Sequence, residues 1–165
     1  MIIDDIYKEF IAFAVDIGYP RAQIFRANQN NRNINPPCLV LAIQNSLPDS
    51  TNISDNEYNA DEAQMTRSVS RIGTMSVIMD FYGNDALDWA TISATAFEDY
   101  DSLGFFAGGS FVPIESTSPR ALPFVGQDAM DYDRYQIICT INYNETYVRL
   151  VDFATDIAPE TIRTA

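Results

Sequence analysis

Two long runs of alternating apolar and polar residues set the plan of this chain. In the run 134–144, Tyr135, Ile137, Cys139, Ile141 and Tyr143 fall on one side of a period-2 strand, opposite Arg134, Gln136, Ile138, Thr140, Asn142 and Asn144. In the run 67–82, Val69, Met75, Val77, Met79 and Phe81 oppose Ser68, Ser70, Thr74, Ser76 and Asp80, while Ile72, Ile78 and Tyr82 interrupt the polar row. At about 3.3 Å per residue, each run is longer than the usual strand of roughly five or six residues, so part of each is expected to extend past the core. An overhang of that kind can pair with a neighbouring chain.

Helical spacing occurs in two other places. Ile3, Ile6, Tyr7, Phe10, Phe13, Ala14 and Ile17 form an apolar stripe that stops at Gly18 and Pro20. Ala86, Trp89, Ala90, Ser93, Ala96, Phe97 and Tyr100 form a second stripe, with Asn84 or Asp85 as its cap and Gly104, Gly108 and Gly109 at its end. Between the first helix and Pro36-Pro37, the pattern gives a short extended piece around Ile24 and Phe25 and then loop. Leu39, Leu41 and Ile43 alternate in a first full strand. Residues 110–115 read as a further strand, and Asn144 with Glu145 as a turn before a last strand over 147–154.

The predicted class is α+β: a mostly antiparallel sheet of four or five strands with two main helices packed on one face. At 165 residues and 47% hydrophobic content, a single domain over 1–165 is expected. Its one irregular feature is an acidic stretch at about 48–63, which carries Asp49, Asp55, Glu57, Asp61 and Glu62 without a basic residue. That stretch reads as a flexible hairpin tip or arm.

Charge narrows the function. Ten Lys and Arg against 23 Asp and Glu give −13, which disfavours tight polyphosphate binding by counterion release. An acidic wall suits a conduit for DNA better than a reader of it, and acidity also serves plain solubility. Asp4 and Asp5 stand where a signal peptide carries positive charge, and the longest apolar run, 10–15, is far short of a membrane span, so a cytosolic protein with no membrane association is expected. The sequons at Asn52 and Asn144 then carry little meaning. Cys38 and Cys139 read as buried reduced thiols, although a meeting of the two strands that hold them is open.

Catalytic chemistry finds little support. With no histidine, the commonest acid-base group and zinc ligand is missing. Ser110, in Gly109-Ser110-Phe111, lacks the nucleophile-elbow spacing, and the glycines of 104–109 lack the Lys-Ser or Lys-Thr of a phosphate loop. Glu98, Asp99 and Asp101, or Asp128, Asp131 and Asp133, offer oxygen ligands for Mg²⁺ or Ca²⁺, but the second set lacks the glycine and terminal glutamate of an EF-hand. Both sets read as solvated surface acid, Asp131 and Asp133 serving also as an edge guard. No catalytic residue, cofactor or metal is therefore expected. Tyr132, Tyr135, Tyr143 and Tyr147 follow the C-terminal ribbon, with Tyr135 and Tyr143 assigned to the core and Tyr147 open between core and interface.

The order of several short motifs resembles bacteriophage neck or tail terminator proteins. These are Gly18-Tyr19-Pro20-Arg21, the run Ile24-Phe25-Arg26-Ala27-Asn28-Gln29-Asn30, Pro36-Pro37 before a strand, Arg71-Ile72-Gly73, Asp80-Phe81-Tyr82-Gly83 before the Asp85 helix, and the closing strand run before 146–154. The acidic stretch 48–62 lies outside the matching pattern. The resemblance implies a non-enzymatic subunit that forms a homo-oligomeric ring, a hexamer, in the virion between the head connector and the tail tube. Such a ring ends tail growth and leaves a passage for DNA without sequence-specific binding; the subunit is made in the bacterial host cytoplasm. A heterologous ring contact is then expected at Tyr147, Arg149, Val151 and Phe153, which alternate on a terminal strand. Two other readings compete: a small-molecule or peptide-binding module on a ferredoxin-like sheet, and a metal-dependent nuclease using Asp128, Asp131 and Asp133.

Overall fold

The computed structural model describes residues 2–27, 35–48, 52–59, 64–123 and 133–151. Helix α1 (Ile2–Asp16) is followed by a 3-10 turn (Arg21–Gln23) and the strands β1 (Ile24–Arg26), β2 (Cys38–Pro48), β3 (Ile53–Asn59) and β4 (Gln64–Tyr82). Next come α2 (Ala86–Glu98), α3 (Tyr100–Phe105), β5 (Phe111–Ser116), β6 (Arg120–Ala121) and β7 (Arg134–Val151). All seven strands join one mixed sheet in the order β1-β2-β4-β7-β5, with β3 on β4 and β6 on β7. Among the described residues only β1 and β2 pair in parallel.

The α+β class therefore holds, with α1 and α2 as the two main helices and a short α3 beside them, but the expectation of four or five strands is too low, for identifiable reasons. The acidic residues 53–59 form β3, which hairpins onto 64–70 of β4 and satisfies its backbone there despite few apolar side chains. Ile24–Arg26 is long enough to pair with Leu39–Leu41, and β6 adds two residues beside β7. The turn expected at Asn144 and Glu145 does not form. There β7 runs on without a break, because Ile72 and Arg71 of β4 sit opposite those residues and continue the ladder. The second helix is split at Asp99, whose backbone is extended at φ −72° and ψ 151°. The hydroxyl of Ser102 bridges the break by donating to the carbonyls of Phe97 at 2.8 Å and Asp99 at 2.7 Å.

Alternation decides what is buried. In β4 and β7 the odd positions 73–81 and 137–143 are buried, whereas every described even position except Asp80 is half-buried or exposed. Met75, Val77, Met79 and Phe81 join Ile137, Cys139, Ile141 and Tyr143 in one cluster with Ile6, Phe10 and Phe13 of α1 and Ala90 and Phe97 of α2. Phe10 is its centre: its ring lies 5.9 Å from Phe97 and 5.2 Å from Phe111, both stacked, and 6.1 Å from Phe106.

The termini of the elements follow local chemistry. After α1, Gly18 takes φ +99°, which lets the Tyr19 N–H reach back to the Ala14 carbonyl at 2.9 Å and close the helix. Gly83, at φ +113°, turns the chain from β4 into α2, and a Cβ there meets Pro37 at 3.1 Å. Its N–H donates to the Asp133 carbonyl at 2.9 Å, so the turn also fixes the start of β7.

Candidate functional site

The two long strands outrun their neighbours. β2 ends at Pro48 opposite Gly73, and β5 begins at Phe111 opposite Tyr143, so neither reaches the N-terminal half of β4 or the C-terminal half of β7. What continues is a three-stranded arm of β3, residues 64–72 of β4 and residues 144–151 of β7. Nine residues at about 3.3 Å each carry it roughly 30 Å beyond the core. Among its described side chains none is buried.

Each arm face has its own chemistry. One carries Ile53, Asp55 and Glu57 of β3, Thr66, Ser68 and Ser70 of β4, and Thr146, Val148 and Leu150 of β7. Ile53, Val148 and Leu150 are 61%, 58% and 66% exposed. On the other face Arg71 donates to Glu145 Oε2 from Nη2 at 2.9 Å and from Nε at 3.2 Å. Because both partners are about half exposed, this pair contributes no more than about 1 kcal/mol. Arg67 stands opposite Arg149 in the ladder, a like-charge placement that is unfavourable in itself, and its Nε is shielded from solvent with no hydrogen-bond partner among the described residues. Asn52, Ser54, Arg67, Val69, Arg71, Glu145 and Tyr147 border a hollow of about 610 Å³ on this face.

Of the four expected interface residues, Tyr147 lies on this arm opposite Val69 and is 64% exposed. Arg149 and Val151 belong to the same strand, opposite Arg67 and Met65. Phe153 lies outside the described residues, as do Asp128 and Asp131. The sequence marked the stretch that holds β3 only as an acidic hairpin tip or arm, and Arg67 only as the start of the long alternating run; neither was offered as an interface residue.

The catalytic candidates have structural employment. The Ser110 N–H donates to Glu9 Oε1 at 2.8 Å, tying the start of β5 to α1. Glu98 Oε1 accepts from the Ser116 N–H at 3.1 Å and its hydroxyl at 3.0 Å. Asp133 is exposed, and among the described residues no group of three or more metal-ligating side chains forms. Cys38 is level with Tyr82 of β4 and Cys139 with Val77, an offset of about 16 Å along the strand that precludes a disulfide. Both thiols are free and buried. Burial pushes the Cys38 thiol up to about 12 and raises that of Cys139 as well, so neither is a nucleophile at neutral pH.

A second cleft, of about 480 Å³, opens at the foot of the arm, where Ile72, Leu103, Phe106, Gly109, Val112 and Asn144 meet. It adjoins the point at which β5 leaves the flank of β7. No helix among the described residues is long and apolar enough to cross a membrane. A protein-family model described as phage neck terminator protein matches residues 4–164. The match runs through the acidic segment that carries β3. No curated protein matches the chain significantly.

Proposed function

Because this chain belongs to the phage neck terminator family, a structural component of the virion neck that meets other neck and tail proteins, we propose that it assembles as a closed ring, a hexamer, between the head connector and the tail tube. In that position it caps the tube, stops its growth, joins tail to head and leaves an axial passage for DNA. The output is architectural, not catalytic. The reading takes residues 1–165 as one terminator-like domain, with its two main helices over one sheet face and a movable acidic arm at about 48–63. The subunit is made in the bacterial host cytoplasm before it joins the particle.

The observation that carries the reading is the family match across 4–164, which takes in the core and the arm together. Two further features support it. An arm without a core of its own needs a neighbour to cover it, and a net charge of −13 keeps passing DNA from adhering. We assign Tyr147, Arg149, Val151 and Phe153 to the subunit contact, Tyr147 supplying exposed aromatic area.

Labelled protein in assembled particles tests the placement: the label is expected at the head–tail junction, and deletion of the gene is expected to give overlong tails and unjoined heads. Absence of the chain from mature particles, or substrate turnover by the isolated protein, overturns the reading.

A further inference from the structure

Among the described residues the arm is open on both sides. Among those residues β3 pairs only with β4, which leaves its outer edge without a strand partner, and β7 loses its outer partner after Tyr143. The two free edges match in length, seven residues of β3 against residues 144–151 of β7. Each is antiparallel to β4, so they run in the same direction. A rotation about an axis along the strands preserves that direction and keeps each face on its own side. It brings β3 of one copy against β7 of the next in parallel, a heterologous contact of the kind that closes rings.

Side chains favour the same contact. Ile53 is level with Ser70 and, through it, with Thr146, on the face that bears Val148 and Leu150. All three apolar residues are more than half exposed, and an edge strand with such residues aggregates unless it is paired or covered. A β3 strand arriving in parallel begins at the foot of the arm. Its first residue, Ile53, therefore enters beside the cleft formed by Ile72, Leu103, Phe106 and Val112. Each copy brings both halves of the contact, which is why a second copy of this chain, and not a foreign strand, is the occupant.

Resting on the ring reading above, we propose that the arms join edge to edge: β3 of each copy adds in parallel to residues 144–151 of the next copy's β7, with Ile53 seated in that copy's cleft. The arms then form one continuous inter-subunit sheet.

Engineered disulfides test this directly. Ser54 and Tyr147 both sit level with Val69. Within one copy they are two strand spacings apart, about 9.6 Å, which exceeds disulfide reach, so Ser54→Cys with Tyr147→Cys can bridge only between copies. The native Cys38 and Cys139 are buried and stay out of the reaction. Two further pairs, Ser54→Cys with Glu145→Cys and Asn52→Cys with Tyr147→Cys, allow for a stagger of one pleat either way. Phage particles carrying each pair are oxidised and the chain is run without reductant. The expected result is a ladder of linked multimers ending at the full ring for at least one pair, and no ladder for any single variant. Three unlinked pairs in particles whose rings are visible by electron microscopy overturn the edge contact and leave the ring reading standing. Dimers from a single variant overturn it too, because they show a twofold contact. Particles without a ring of this chain refute the ring reading, and this proposal with it.

Discussion

Removing the Arg134 guanidinium should destabilise the chain far more than removing it together with the charge it neutralises. Asp80 is the one charged side chain in the described buried set, at 7% exposure. It accepts from Arg134 Nε at 3.3 Å and Nη2 at 3.0 Å, and from Gln136 Nε2 at 3.0 Å. Arg134 also lies 5.4 Å above the Tyr82 ring. With the two side chains only 25% and 10% exposed, solvent screening is weak. Arg134→Met keeps the stem but leaves a buried carboxylate with one neutral donor, a loss of about 3 kcal/mol, to which the cation–π contact adds roughly 0.5 kcal/mol. For a chain of this size that lowers Tm by roughly 7–14 °C. Adding Asp80→Asn removes the stranded charge and should restore more than half of the loss, because a neutral amide still pairs with Gln136. Urea titrations of the parent, the single and the double variants measure this. A single variant within about 0.5 kcal/mol of the parent, or a double variant no better than the single, refutes the reasoning.

Phe97→Ala, which empties a site packed on Phe10, Phe13 and Phe106, should cost about 3–5 kcal/mol in urea or thermal unfolding. Burial raises the Cys38 thiol from 9.0 to about 12, so its contribution is complete below pH 9 and is lost as pH rises towards 12. Unfolding midpoints measured across that window should fall less steeply in Cys38→Ala than in the parent, and equal slopes count against the assignment. Tyr147→Ala should leave monomer stability within about 0.5 kcal/mol yet weaken ring formation in native mass spectrometry. Arg149→Glu, which turns the cross-strand pairing with Arg67 from like to opposite charge, should stabilise the free chain by about 0.2–1 kcal/mol. Unchanged assembly and subunit exchange would remove Arg149 from the contact.

Periodicity made the core strands and both long helical stripes legible because burial there follows the pleat or the helical turn residue by residue. Met75 to Phe81 and Ile137 to Tyr143 are the clearest cases. It failed where the backbone is held by a neighbour and not by its own apolar side chains. β3 is written in Ser, Asp, Asn and Glu and is a strand because β4 offers a free ladder. Asn144 and Glu145 have turn chemistry, but pairing with Ile72 and Arg71 overrides it. The break at Asp99 depends on a hydroxyl three residues on, which no periodic template registers. Tyr147, left open by the sequence between core and interface, stands exposed on the arm. The outer edge of β3 was not readable at all, since an edge becomes visible only once the strand order is known.

The division of the β4–β7 ladder into a packed base and an uncovered arm has a thermodynamic consequence. At the base, residues 73–81 and 137–143 are held by buried contacts as well as hydrogen bonds, so their amides open only with the whole domain. Along the arm the same ladder stands with no described side chain buried. Local opening there exposes little apolar surface, so the free energy that resists it is small. A contact made only by the closed arm stabilises that arm by mass action, so its order is linked to assembly. Hydrogen exchange on the isolated chain should therefore show amides of 64–72 and 144–151 exchanging well ahead of 73–81 and 137–143, with the gap narrowing in assembled rings. Arm amides as protected as the base in the free monomer would mean that the arm is already covered by its own chain, and the coupling between folding and assembly would be lost.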